Sequence, residues 1–159
     1  MLVDSHSHLF LEEFSDDLPQ VMQRAHDAGV THIFMPNIDS TTIGPLLSVC
    51  NTYKGFCFPM IGLHPTSVNE SYEKELDIVA HQLAPFNEYV AIGEIGLDLY
   101  WDKTFLREQL IVFEKQIEWA LEYHLPIVVH CREAFEYIYK VLEPYKKSGL
   151  KGIFHSFTG

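Results

Sequence analysis

Apolar residues in the 159-residue chain alternate between two spacings. Short β-rich apolar runs occur near 2–5, 31–35, 56–61, 89–94, 126–130 and 151–155, and each is separated from the next by a segment with helical spacing or helix caps. After Ser15-Asp16-Asp17, a stretch suited to a cap, Leu18, Val21, Met22, Ala25 and Ala28 form one stripe, and Gly29 stands where a helix would stop. Leu76, Val79 and Leu83 repeat the pattern before Pro85. Leu106, Leu110, Phe113, Ile117, Ala120 and Leu121 line one face of a long helix before Pro126, and Phe135, Ile138 and Leu142 precede Pro144. Segment 41–53 carries the faintest helical signal, because Gly44 and Pro45 lie inside it.

A regular βαβα order demands parallel strands with right-handed crossovers, as an open doubly wound sheet or a closed (β/α)8 barrel. No GxGxxG or GxxxxGK[ST] follows the first strand, so an open nucleotide-binding sheet lacks its phosphate loop. The polar residues favour the barrel. Successive strands end at His6 and His8, Asn37, His64, Glu94, His130 and His155, and barrel enzymes carry their chemistry at the C-terminal ends of the strands. The expected class is therefore α/β, a (β/α)8 TIM-like barrel. Such a barrel needs about 250 residues, so these residues account for about the first six βα units. We expect residues 1–159 to be a single domain, the N-terminal portion of a longer barrel. Its two open edges would pair with another copy or leave the piece self-associating.

Composition narrows the partners. Hydrophobic residues make up 47% and charged residues 21%, values of a soluble globular chain rather than a disordered or fibrous one. Asp and Glu outnumber Lys and Arg by 22 to 11, a formal charge of −11, which disfavours binding to long duplex DNA. A small anionic substrate or a strand end remains open to such a chain if metal ions bring positive charge to the site. No apolar stretch approaches the roughly 18 residues of a membrane span, and the first residues have no signal-peptide character, so we expect a cytoplasmic protein. Cys50, Cys57 and Cys131 form no CxxC pair and suit reduced thiols.

The histidines carry the candidate chemistry. In Asp4-Ser5-His6-Ser7-His8, two imidazoles one residue apart on an extended segment share a face. Glu94 sits in an apolar strand and faces any closed interior, where an unpaired carboxylate is costly and calls for a cation. His130 closes Ile127-Val128-Val129 and His155 closes Gly152-Ile153-Phe154. One carboxylate with four histidines at one end of the strands suits two divalent ions, with the carboxylate bridging them. His26, His32, His81 and His124 lie on helices or at strand starts and are assigned to packing or surface roles. Asp98 is either a second acid near the site or a loop cap.

Asp4-Ser5-His6-Ser7-His8-Leu9, Gly62-Leu63-His64-Pro65, Gly93-Glu94-Ile95-Gly96-Leu97-Asp98, Leu125-Pro126-Ile127-Val128-Val129-His130-Cys131-Arg132-Glu133-Ala134 and His155-Ser156-Phe157-Thr158-Gly159 resemble successive motifs of the TatD family of metal-dependent deoxyribonucleases, within the amidohydrolase-like superfamily. The resemblance implies a (β/α)8 barrel with two divalent ions, Mg²⁺, Mn²⁺ or Zn²⁺, that hydrolyses phosphodiester bonds in DNA. It implies that His6 and His8 hold one ion, that Glu94 bridges, and that His130 and His155 hold the other. The family's further aspartate ligand, which is also its candidate general base, would fall beyond Gly159.

The substrates expected are DNA ends or short single-stranded nucleic acid, because only a few nucleotides need enter the site. Arg132 can present its guanidinium to a phosphate oxygen or pair with Glu133 or Glu136. His64, outside the metal set, can bind phosphate or protonate the leaving oxygen as a catalytic acid beside Glu94. Phe10, Tyr100, Trp101 and Phe157 can stack on a terminal base or pack in loops. Two alternatives remain: an ester or amide hydrolase of the same architecture, including one that deacylates aminoacyl-tRNA, and a chain impaired by lacking the last ligand.

Overall fold

The computed structural model describes residues 1–83 and 88–156. Strands β1 (Leu2–Asp4), β2 (Val30–Met35), β3 (Cys57–Pro59), β4 (Ile92–Asp98), β5 (Ile127–Arg132) and β6 (Gly152–His155) alternate with helices α1 (Leu18–Asp27), α2 (Ile43–Thr52), α3 (Tyr72–Gln82), α4 (Leu106–Glu122) and α5 (Phe135–Leu142). Every strand pair is parallel. The strands form two three-stranded sheets, β1-β2-β3 and β4-β5-β6, joined by a parallel bridge between Ile61 and Ile92. The expected α/β class with parallel strands holds. A closed barrel is not formed, since β1 and β6 each have one unpaired edge among the described residues. No described helix is long and apolar enough to cross a membrane.

Helices and sheets bury apolar side chains against each other in two main clusters. One gathers Met22, Ile33, Met35, Leu46, Cys50 and Cys57 around β2, α1 and α2. The other joins Ile92, Ile95 and Leu97 of β4 to Phe113 and Ile117 of α4 and Ile138 of α5. On the opposite face of the strands, Met60, Ala91 and Val128 pack with Phe34. The His32 ring stacks on Phe58 with centroids 5.2 Å apart, a packing role as expected.

Segment 41–53 contains a helix, as its faint signal indicated, because Pro45 falls in the first turn of α2, where a missing N–H leaves no bond unmade. Three boundaries differ from the sequence reading. The fourth strand continues four residues past Glu94 to Asp98, so Glu94 lies within β4 rather than at its end. All seven residues of β4 are buried, so no loss of hydrophobicity marks where the strand stops. The fifth strand continues two residues past His130 to Arg132, whose carbonyl accepts from the Leu99 N–H at 3.0 Å, which prolongs the pairing. His6 and His8 lie in the loop after β1, not on the strand.

Candidate metal centre

Glu94 is 3% exposed, and imidazoles from four loops or strands surround its carboxylate. Its Oε2 lies 3.0 Å from His6 Nε2, 3.6 Å from His64 Nε2 and 3.8 Å from His8 Nε2. Its Oε1 lies 3.3 Å from His130 Nδ1, close enough for a charge contact but not aligned as a hydrogen bond. The His155 ring stacks on His6 with centroids 3.4 Å apart. Two sets of ligand atoms each lie within 4.8 Å of one another: His6, Glu94 and His155, and His64, Glu94 and His130. This grouping differs from the sequence reading, which paired His130 with His155 and left His64 outside the metal set. His64 enters because the Leu63–His64 segment turns toward Glu94 after the Ile61 bridge.

Local structure explains how each group arrives. Asp4 ends β1, and its carboxylate accepts from the His6 N–H at 3.0 Å and from the Ser7 hydroxyl, which turns both imidazoles of the His-x-His segment inward. The ladder between β4 and β5 is irregular between Ile92 and Ile95, where Glu94 sits. Gly96 stands opposite His130 with φ +136°, and a Cβ there would meet the His130 carbonyl oxygen at 2.1 Å. Only glycine permits that approach. From α4, Gln116 accepts from the Leu63 N–H at 2.7 Å and donates to the Leu63 carbonyl at 3.2 Å, holding the segment that carries His64.

Burial and charge set the protonation of the cluster. Burial pushes His64 down to about 4 in spite of the nearby Glu94 charge. Burial also lowers His8 and His155, with the His6 charge adding to both. Burial alone would raise Glu94, but the His130, His6 and His64 imidazoles outweigh it and hold the carboxyl below its usual range. His130 goes the other way: burial lowers it, and the facing Glu94 and Asp98 carboxylates raise it more. The result is a buried carboxylate beside the His8, His64 and His155 imidazoles, which burial biases toward the neutral form. His6 Nε2 and His8 Nε2 face each other at 3.2 Å, while His6 Nδ1, His8 Nδ1 and Glu94 Oε1 are buried with no hydrogen-bond partner. Buried polar atoms normally find partners. Imidazole nitrogens gathered within 4.8 Å of one another and of a buried carboxylate fit a divalent cation.

A cleft of about 1090 Å³ opens over this cluster, lined by His6, His8, Glu94, His130, Arg132 and His155. Of the aromatic candidates, Phe10 is 8% exposed, packed in the core with its ring centroid 5.6 Å from that of His8, which removes it from base stacking. Tyr100 and Trp101 are exposed beside Arg132. Phe157 lies outside the described residues.

A protein-family model described as "TatD related DNase" matches residues 3–159. The chain belongs to this family. A Bacillus subtilis member called uncharacterized metal-dependent hydrolase YabD is 36% identical over all of this chain and 62% of its own length. A member from Pantoea vagans called 3'-5' ssDNA/RNA exonuclease TatD is 33% identical over 92% of this chain and 56% of its own. The crystal structure of the TatD homologue YJJV from Escherichia coli superposes with a TM-score of 0.88 at 29% identity, covering 99% of this chain and 61% of that one. The TatD-family chain thus spans about six tenths of the length of the relatives it matches.

Four positions around the site of this TatD-family chain escaped the sequence reading or stayed undecided there. Asp98 is 3% exposed, and its Oδ2 accepts from His130 Nε2 at 2.8 Å. Asp4 braces the His-x-His turn; its place two residues before a histidine pair was the available signal. Gln109 and Gln116 are buried within the apolar stripe of α4, and two polar residues in such a stripe mark backbone groups that need partners.

Proposed function

We propose that the chain carries the metal centre of a hydrolase that cleaves phosphodiester bonds at the ends of single-stranded DNA or RNA. The observation that supports this most is the convergence of five imidazoles on the buried Glu94 carboxylate with three donor atoms left unpaired. Membership of the TatD-related DNase family and the exonuclease name of the Pantoea relative support the choice of substrate. His6, His8, Glu94 and His155 would hold one ion, and His64 or His130 with Glu94 a second, with Glu94 shared. Such ions, when bound, supply Lewis acidity that polarises a phosphoryl oxygen and makes water nucleophilic at neutral pH.

The chain's own residues would do the rest. Asp98 fixes which nitrogen of His130 faces the centre. Arg132 binds a non-bridging phosphate oxygen, since among the described residues it pairs with neither Glu133 nor Glu136 and lines the same cleft as Glu94. His64, where it does not hold an ion, would donate its ring N–H to a phosphate oxygen, because burial keeps the imidazole neutral near pH 7 and unsuited to give up a proton. The six parallel strands would belong to an eight-stranded barrel, whose remaining strands would add to the exposed β1 and β6 or be replaced there by a second copy.

The test is a substrate panel with Mg²⁺, Mn²⁺ or Zn²⁺: an end-labelled single-stranded oligonucleotide, a simple phosphodiester, an acyl ester and an aminoacyl-tRNA. Metal-dependent shortening of the oligonucleotide from one end is expected. Cleavage of the acyl substrates with the phosphodiesters untouched would overturn the proposal in favour of an ester hydrolase.

A further inference from the structure

The Arg132 guanidinium carbon lies 3.7 Å from the centroid of the Tyr100 ring and 5.2 Å from that of Trp101. The two rings meet nearly at right angles, 87°, with centroids 4.8 Å apart, and so form a corner into which the guanidinium fits. The rings are 49% and 72% exposed, so burial does not explain their placement. Their backbone does. Both N–H groups donate to Asp98 Oδ1, at 3.0 Å from Tyr100 and 3.4 Å from Trp101. The intervening Leu99 N–H donates to the Arg132 carbonyl. Asp98 is itself fixed at both backbone atoms by Gln109, which accepts from its N–H at 3.0 Å and donates to its carbonyl at 3.2 Å. The aromatic corner is thereby tied to the same β4–β5 ladder that presents His130.

Stacking occupies the flat face of a guanidinium and leaves its in-plane N–H groups free. Among the described residues no carboxylate or carbonyl takes those donors from Arg132, although Glu133 is adjacent in sequence. An arginine held by its face, with its edge unspent and lining the cleft that also exposes Glu94, is prepared for the two oxygens of a phosphate.

The geometry points to Tyr100 as a positioning residue: its ring holds the Arg132 guanidinium in the orientation that receives the substrate phosphate, and it does so through the ring face and without touching the substrate. This rests on the phosphodiesterase reading above. A tyrosine that stacked on a nucleobase would act independently of Arg132, whereas a tyrosine that aims Arg132 has no effect once the guanidinium is gone.

The experiment is a double-mutant cycle on hydrolysis of a short single-stranded oligodeoxynucleotide, with the melting temperature of each variant recorded. Tyr100→Leu is expected to raise KM about three- to tenfold, the range of one partly exposed cation–π contact, with kcat nearly unchanged. Tyr100→Phe keeps the ring face and restores most of the KM. Tyr100→Leu added to Arg132→Ala produces no further rise. If the wild-type chain cleaves the oligonucleotide but the two substitutions act additively, or Tyr100→Phe behaves like Tyr100→Leu, the positioning role is overturned and the phosphodiesterase reading survives. If the wild-type chain cleaves no oligonucleotide, both fall together.

Discussion

Asp98 Oδ2 sits 2.8 Å from His130 Nε2, so the opposite ring nitrogen, Nδ1, is the one that faces Glu94. A carboxylate behind a histidine fixes the tautomer and ring angle and makes the ligand more basic, and removing such a partner costs about 10- to 100-fold in metal affinity. Asp98→Ala should therefore weaken Mn²⁺ or Zn²⁺ binding by that factor in titration calorimetry. Unchanged affinity would mean that Asp98 serves only the Tyr100–Trp101 loop.

Cation binding should stabilise the fold, because the unfolded chain cannot assemble donors that lie on β4, β5, β6 and the loop after β1. At a free metal concentration one hundred times Kd the gain is about 2.7 kcal/mol, read as a rise in melting temperature that a chelator reverses. Glu94→Gln should remove most of the shift, since Glu94 belongs to both ligand groups. A shift that survives Glu94→Gln would locate the ion elsewhere.

Gln116 is fully buried and satisfies both the N–H and the carbonyl of Leu63. Gln116→Leu keeps the volume but leaves two buried backbone groups unpaired, at about 1–3 kcal/mol for each. Urea denaturation should show a lower midpoint at an unchanged m-value. Displacement of His64 from Glu94 should follow even where the variant remains folded, and a full-strength metal response would count against that link.

Cys50 and Cys57 are free and buried in the α2–β3 packing. Burial pushes Cys57 up to about 11, and burial, with Cys57 and Glu88 adding, pushes Cys50 up to about 12, against an ordinary 9.0. The unfolded chain then loses its thiol protons first. Stability is fully present below pH 9 and drains away as pH rises past it, by about 1 kcal/mol per thiol between pH 9 and 10. Melting temperatures under reducing conditions should fall over that interval, and the Cys50→Ala, Cys57→Ala double variant should flatten the slope. An equal slope in that variant would assign the loss to other groups.

The alternation of apolar runs and helical stripes was enough to place six parallel strands and five helices, because short continuous apolar runs and 3.6-residue stripes are distinguishable locally. Positions whose role depends on a distant partner were less readable. The closeness of His64 to Glu94 was not readable because it depends on the turn after Ile61, which Gln116 holds from a helix far along the chain. Gly96 looked like any strand glycine, though its lack of a side chain is what admits His130 beside β4. Phe10 stayed open between base stacking and loop packing because nothing local distinguishes a loop phenylalanine that folds back into the core from one that faces solvent. The end of β4 was hidden for the reverse reason: a strand buried on both faces has no period to lose.

The two buried glutamines of α4 are seven residues apart, two helical turns on the same face, and one grips Asp98 while the other grips Leu63. At about 1.5 Å per residue the helix separates these grips by roughly 10 Å, a length that no loop could hold as constantly. The helix thus works as a gauge for the centre: the arm bearing His64 and the arm bearing Asp98, Tyr100 and Trp101 are clamped to one rigid bar. Inserting one residue between Gln109 and Gln116 would turn the second grip by about 100°, which would put the two arms out of register while leaving every candidate ligand in the sequence.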